Sequence, residues 1–222
     1  MALERAHIQR IIEPSEEHIE QCLTVLEAAF MDRTFTNFLV GGDQSRIRAY
    51  YRCFLNATLL GGELYAMISE SNQIQGVAMW FGPGQEIFST DEQLNAGFNQ
   101  FLANSPSNLR EWYTNYLLPK YDEIAKSLDG PAINNRWHLQ LIAVDPAHRR
   151  KGIATSLIRE IQEKADATFT PMKLETTHEA NLALYKHLGF DIKGEMNIVS
   201  SGPQGDRECT QYFLVRPSPP ME

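Results

Sequence analysis

The stretch Val144-Asp145-Pro146-Ala147-His148-Arg149-Arg150-Lys151-Gly152-Ile153-Ala154 constrains this chain more than any other. An apolar run ends at Val144 and Asp145-Pro146 turns the backbone. A helical period then begins at once, with Ile153, Leu157, Ile158 and Ile161 on one stripe. A strand that passes through a short turn into a helix puts the helix's unpaired N–H groups and partial positive charge at the strand's end. Gly152 and Ala154 keep bulk away from those amides, and Arg149, Arg150 and Lys151 add charge. The chemistry is that of a pyrophosphate-binding turn. The alternative is a basic helix start that is merely solvated. Neither G-x-x-x-x-G-K-[ST] nor G-x-G-x-x-G is present; the spacing is Arg-x-x-Gly-x-Ala.

That basic run stands out because the chain is acidic, with 20 Lys and Arg against 28 Asp and Glu, a net charge of −8. Three basic residues against that background do not make a nucleic-acid surface. The apolar share of 43% is ordinary for a globular protein, and 222 residues suffice to bury a core. No apolar run reaches the ~20 residues of a membrane helix. Met1–His7 lacks a leader-like apolar segment. Cys22, Cys53 and Cys209 follow no disulfide or zinc spacing. The expected location is therefore a reducing compartment, the cytoplasm, and no metal is expected.

The periodicity predicts a strand at Ile8–Ile12, then a helix capped by Ser15 and running to about Phe30. A second helix spans Ile47 to Ala57 and is stopped by Gly61-Gly62. Strands follow at Glu63–Ser69 and Ile74–Phe81, joined by a turn at Ser71-Asn72. Residues 85–131 read as mostly helical, broken at Pro119, and too apolar for a linker. Then come a strand Trp137–Val144, a helix Gly152–Ala165, a strand Met172–Thr176 and a helix Glu179–Leu188 ended by Gly189. Two strands, Phe190–Val199 and Cys209–Val215, are joined by a turn rich in Ser, Gly, Pro and Asp.

Val144, Pro146, Arg149, Gly152 and Ala154 match, in order and spacing, the acetyl-CoA turn of the GNAT superfamily, whose form is [Arg/Gln]-x-x-Gly-x-[Gly/Ala]. Leu174-Glu175-Thr176, Asn181, Ala183-Leu184-Tyr185 and Leu188-Gly189-Phe190 resemble that family's next strand–helix–strand. The chain thus resembles acetyl-CoA-dependent N-acetyltransferases, specifically over Trp137–Gly194 and only topologically over Ile8–Phe81. The resemblance implies one α/β domain over residues 1–222. Its sheet would be mixed and strongly twisted, with helices on both faces. A helical insertion at 85–131 would precede the cofactor-binding strand, and 137–194 would form the acetyl-CoA-binding core.

What the resemblance implies for single residues is as follows. The backbone of Ile142, Ala143 and Val144 pairs with the pantetheine arm of acetyl-CoA. The amides from Arg149 through Arg150, Lys151, Gly152 and Ile153 to Ala154 hold the pyrophosphate, with Thr155 able to add a hydroxyl. Asn181 contacts the cofactor. Tyr185 protonates the departing thiolate; a phenol of pKa ~10 and a thiol of pKa ~8.5 suit that exchange. The alternative for Tyr185 is a packing aromatic beside Leu184 and Leu188. His138 is the candidate base, since a protonated amine must lose its proton before it attacks. Alternation puts His138, Gln140, Ile142 and Val144 on one strand face unless a bulge intervenes. The alternative for His138 is a structural histidine, and Glu175 is a second candidate for base or amine contact. His148 reads as a rim residue, and Trp80 and Trp137 as packing or pocket residues.

The reaction implied is direct acetyl transfer from acetyl-CoA to a primary amine of a small or medium-sized molecule in a ternary complex. Val77-Ala78-Met79-Trp80, Pro83-Gly84, Trp137 and Leu174-Glu175-Thr176 faintly resemble the branch of the family that contains puromycin N-acetyltransferase. The aromatics of the insertion, among them Phe88, Phe98, Trp112 and Tyr113, form either a pocket wall or plain helical packing. Two other functions are open: a protein or peptide N-acetyltransferase, and a non-catalytic acetyl-CoA-binding protein. The expected partner is a small amine, with a homodimer as one option and neither nucleic acid nor membrane involved.

Overall fold

The computed structural model describes residues 6–129, 135–200 and 207–220. Strands β1 (Ala6–Ile11), β2 (Glu63–Ser69), β3 (Ile74–Phe81), β4 (Trp137–Val144), β5 (Met172–Thr176), β6 (Asp191–Val199) and β7 (Glu208–Arg216) form one mixed sheet. Their spatial order is β1-β2-β3-β4-β5-β7-β6. The expected breaks at Gly130-Pro131 and in the 201–206 turn lie outside the described residues.

Helices α8 (Ile153–Ala167) and α9 (Leu182–His187) cover one face of the sheet. Helices α1 (Glu16–Phe30), α2 (Thr34–Leu39) and α3 (Ile47–Gly61) cover the other, together with the insertion. The mixed α/β fold with helices on both faces is as the motif implied. β2 and β3 are buried along almost their whole length, as strands covered on both faces are. None of the helices among the described residues is long and apolar enough to cross a membrane.

Local chemistry explains most boundaries. Ser15 accepts the His18 N–H at 3.2 Å and starts α1, whose Cys22, Leu23, Val25, Leu26 and Ala29 are buried. Each such larger side chain contributes ~1.5–3 kcal/mol by leaving water. Gly189, at φ +86°, closes α9. Gly76 on β3 lets α8 come down onto the sheet: a Cβ there would lie 2.7 Å from Cγ2 of Ile153. The start of α8 is thereby seated at the end of β4.

Three features depart from expectation. α2 was not anticipated; it has six residues and no side-chain cap, too short for a periodic signal. Pro119 does not break the insertion. It is the second residue of α7 (Leu118–Asp129), directly after a wide π turn in which the i→i−4 ladder is already interrupted, so its missing N–H and its ring are accommodated there. α7 continues from α6 (Ser107–Trp112) through a wide π turn at Tyr113–Leu117. Upstream, α4 (Asp91–Gln93) and α5 (Asn99–Ala103) are joined by a second π turn, Leu94–Phe98. Third, Met79 pairs with Leu141 but Trp80 pairs with Leu139, so Gln140 is bulged. Leu139 packs toward α8 with Ile142 and Val144, while Leu141 and Ala143 face the other layer. His138 therefore does not share a face with Ile142 and Val144.

The parallel pair β4–β5 sets up the site. It holds at Trp137↔Met172, His138↔Lys173 and Leu139↔Leu174, and no further. β4 goes on with β3 to Val144, and β5 with β7 to Thr176. The middle of the sheet therefore opens into a notch between β4 and β5.

Candidate active site

A cavity of ≈ 1100 Å³ runs through that notch. Its lining begins at the basic turn and ends among the aromatic residues of α3 and the insertion. His138, Ile142, Ala143, Val144, Arg149, Arg150, Gly152, Ile153, Ala154, Thr155, Asn181 and Tyr185 all lie on it. Lys151 is exposed and is not on the wall.

The turn leaves the amides at the start of α8 without a side-chain cap. Asp145 accepts the Ala147 N–H at 2.8 Å and begins a tight turn over Pro146–His148. Arg150 and Gly152 are left-handed, at φ +61° and +80°. Gly152 caps α8 with no side-chain hydrogen bond, so the first amides of a 15-residue helix have no side-chain cap. Successive amides across such a reversal form an anion-binding concavity. Arg149 reaches back to the Ala29 carbonyl at 3.4 Å and ties the turn to the end of α1. Arg33, which sequence reasoning missed, joins Arg149 and Arg150 on the wall. Burial, then the charges of Arg33 and Arg149, lower the pKa of His178 nearby.

Farther in, four side chains form a connected chain. Lys173 Nζ is 3.0 Å from Glu86 Oε1, Glu86 Oε2 is 3.3 Å from His138 Nδ1, and His138 Nε2 is 2.7 Å from Glu175 Oε2. All four line the cavity. Burial would lower the pKa of His138, but Glu175 and then Glu86 raise it to about 8. Burial would raise Glu86, yet its bond to His138 and the charges of His138 and Lys173 bring it down to about 2. Glu175 is likewise held below its usual range, with burial outweighed chiefly by the His138 charge. The four groups neutralise one another, which is how buried charge is accommodated.

Tyr185 is 4% exposed, and burial pushes its pKa up to about 12, so it carries its proton at neutral pH. Among the described residues, nothing hydrogen-bonds to its hydroxyl. Asn181 ends a short turn over Glu179–Asn181 just before α9, so the helix expected at Glu179–Leu188 is split. Both residues still face the cavity. Buried Cys22 and Cys53, and half-buried Cys209, lie off the wall. Burial raises their thiols to about 12, 11 and 11.

The insertion does both things weighed for it. Its aromatics pack in the core, and Phe88, Phe98, Tyr113 and Tyr121 also form cavity wall. It is fastened to the far end of the sheet. Trp112 Nε1 donates to the Val199 carbonyl at 2.8 Å, Val199 N–H donates to Tyr116 Oη at 2.9 Å, and Lys120 Nζ donates to the Asn197 carbonyl at 2.8 Å. Tyr121 Oη bonds to Gln211 on β7.

Residues 120–192 match the acetyltransferase (GNAT) domain. An uncharacterised N-acetyltransferase of Schizosaccharomyces pombe is 24% identical over 124 residues, 56% of this chain and 50% of that one. The N-alpha-acetyltransferase RimI of Mycobacterium tuberculosis is 30% identical over 99 residues, 45% of this chain and 61% of that one. The chain thus spans about half to three-fifths of the length of these two relatives. The crystal structure of arylalkylamine N-acetyltransferase 2 from Aedes aegypti superposes with a TM-score of 0.60 at 18% identity, covering 96% of this chain and 98% of that one. At that identity the likeness is one of fold. None of these three names is that of a puromycin acetyltransferase.

Proposed function

We propose, on the match of residues 120–192 to the GNAT acetyltransferase domain, that this chain moves the acetyl group of acetyl-CoA to a primary amine of a small or medium-sized molecule, directly and in a ternary complex. The observation that carries the reading is one continuous cavity. It joins an uncapped, cation-rimmed helix start to a buried chain of carboxylates and histidine, and it passes Tyr185 on the way. A binding module needs the turn alone; the acid–base groups at the other end favour catalysis.

Acetyl-CoA supplies an activated thioester. The amides of Arg149–Ala154 and the Arg33, Arg149 and Arg150 side chains hold its phosphates. The backbone of Ile142–Val144, beyond the last β4–β5 pair, offers ladder groups to the amide-bearing arm. The Ile142 N–H polarises the acetyl carbonyl. The proton of the amine goes to the His138–Glu175 pair. With both ring nitrogens protonated, His138 has no lone pair free, so the pair accepts only after it has lost one proton. Nδ1–H then stays with Glu86, and the 2.7 Å contact between Nε2 and Glu175 is where the new proton is held. Tyr185 Oη gives its proton to the leaving sulfur. The inert, off-wall thiols fit direct transfer rather than an acyl-cysteine.

A compact acceptor is favoured over a peptide because α6 and α7 are bonded to β6 and β7, roofing the inner end of the cavity. Free-thiol release from acetyl-CoA across alkylamines, aromatic amines, polyamines, amino acids and short peptides tests the reading. Amine-dependent release supports it. Release with peptide N-termini alone, or no release with acetyl-CoA still bound, sinks it. Tyr185→Phe is expected to lower kcat by about 10- to 100-fold and to leave the KM for acetyl-CoA within a factor of about 3. An unchanged kcat removes Tyr185 from the acid role.

A further inference from the structure

We infer that the acceptor is a monoamine bearing an aromatic ring, its nitrogen at the Glu86–His138–Glu175 chain and its ring against Phe88. This rests on the transferase reading above and narrows it to a substrate class.

The inner cavity has two poles of different chemistry. One is ionic: Glu86, His138, Lys173 and Glu175, joined by hydrogen bonds. The other is a wall of rings formed by Phe88, Phe98, Phe54, Tyr50 and Tyr113. Phe88 lies flat on Phe98, with centroids 4.4 Å apart at 20°, and meets the edge of Phe54 at 5.1 Å and 81°. Phe54 in turn packs on Tyr50 at 4.8 Å. Phe54, Phe98, Tyr50 and Tyr113 are buried, whereas Phe88 is only half-buried and lies on the cavity wall. An aromatic guest gains both desolvation and edge or offset contacts at such a surface.

Two further observations make this wall more than packing. Phe88 has φ +55°, a left-handed backbone that a bulky residue rarely adopts. Strain of that kind persists where surrounding structure holds it, and here the rings hold it. Phe88 also stands two residues from Glu86, so one short segment of the insertion delivers an ionic partner and a ring to the same chamber. The charge pattern argues for a single ammonium. Among the described residues the acids on the wall are Glu86, Glu175 and Asp122, and the first two already face His138 and Lys173. A polyamine would need more carboxylates spaced along its length, where this wall is aromatic.

The test compares phenylethylamine, butylamine, spermidine and a short peptide as acceptors for the parent and for Phe88→Gly. Glycine accepts φ +55° freely, so the backbone of this variant can stay as it is, while loss of the ring's packing on Phe98 and Phe54 is expected to lower the Tm by several degrees with the cooperative unfolding transition retained. The parent is expected to favour phenylethylamine over butylamine by about 10-fold or more in kcat/KM. Phe88→Gly is expected to raise the KM for phenylethylamine about 10-fold and to move butylamine by less than about twofold. Equal use of the two amines by the parent, a preference for spermidine or peptide, or an equal loss on both amines in the variant overturns the inference. If no amine releases thiol, the transferase reading fails. The ring preference is then read by calorimetric binding of phenylethylamine and butylamine to parent and variant, where equal or absent binding overturns it.

Discussion

Glu175→Gln is expected to lower kcat/KM by about 10²- to 10³-fold, within the range general acid–base groups contribute, and to shift the pH profile. The parent's profile should rise with pH and level off above about 8, because the His138–Glu175 pair accepts a proton only after His138 has given one up. Glutamine keeps the shape and can still accept the Nε2–H bond at its amide oxygen, so the strand should fold as before. It removes the charge that does most to raise His138. Burial then dominates and the rising limb moves to lower pH, while the plateau falls. A purely structural Glu175 would lower activity without moving the limb, and that result would end the proton-acceptor role. Stability runs the other way. A histidine raised from about 6.5 to about 8 contributes stability that is complete below about 6.5 and is lost as pH rises through about 8. Glu86, lowered from about 4.5 to about 2, contributes above about 4.5 and loses it as pH falls through about 2. Thermal unfolding against pH should therefore show the cluster's support greatest between about 4.5 and 6.5, below the range of best turnover.

Gly152→Glu should weaken acetyl-CoA binding by about 10²- to 10³-fold, or ~3–4 kcal/mol. Two effects combine. The residue sits at φ +80°, where a non-glycine side chain costs ~1–2 kcal/mol. A carboxylate is also placed against amides that the anionic cofactor needs. A Cβ at this position meets nothing within 4 Å, so the variant does not fail by collision. Gly152→Asn separates the two effects, since asparagine tolerates the left-handed region, and it should stay close to the parent. Acetylpantetheine, which lacks the pyrophosphate and the nucleotide, supplies the control. Its weaker use should be the same in the parent and in Gly152→Glu. Equal losses on both thioesters would remove phosphate binding from this turn.

Much of this was legible in one dimension because the signals were local. The bounds of β2, β3, β4 and β5 follow from apolar runs and turn residues. The turn at 149–154 is a contiguous motif whose glycine does need its positive φ. The rest was carried by long-range contacts. Glu86 follows Gly84 in a loop with no periodicity, and its partners are 52 and 87 positions away. Its part in the His138 pair cannot be read from spacing. The Gln140 bulge arises from pairing with β3 and reverses the face assigned to His138. One clue was available: Lys173 and Glu175 flank buried Leu174 on a central strand, so both charges had to face the interior.

The two π turns of the insertion have a consequence for how this region can vary. Each wide turn holds one residue more than an α turn would and takes it up locally, whereas elsewhere in a helix one residue more or less shifts the phase by about 100° and the axis by ~1.5 Å. Deleting one residue from Tyr113–Leu117 would therefore let the turn close to an ordinary α turn and leave α7 in phase, with Tyr121 still at Gln211 and Lys120 still at Asn197. A second deletion in the same turn would have nothing left to absorb it and would swing both away. The roof over the chamber thus carries its own slack in length, and loss of a single residue should be tolerated at the wide turns and not along the regular helix between them.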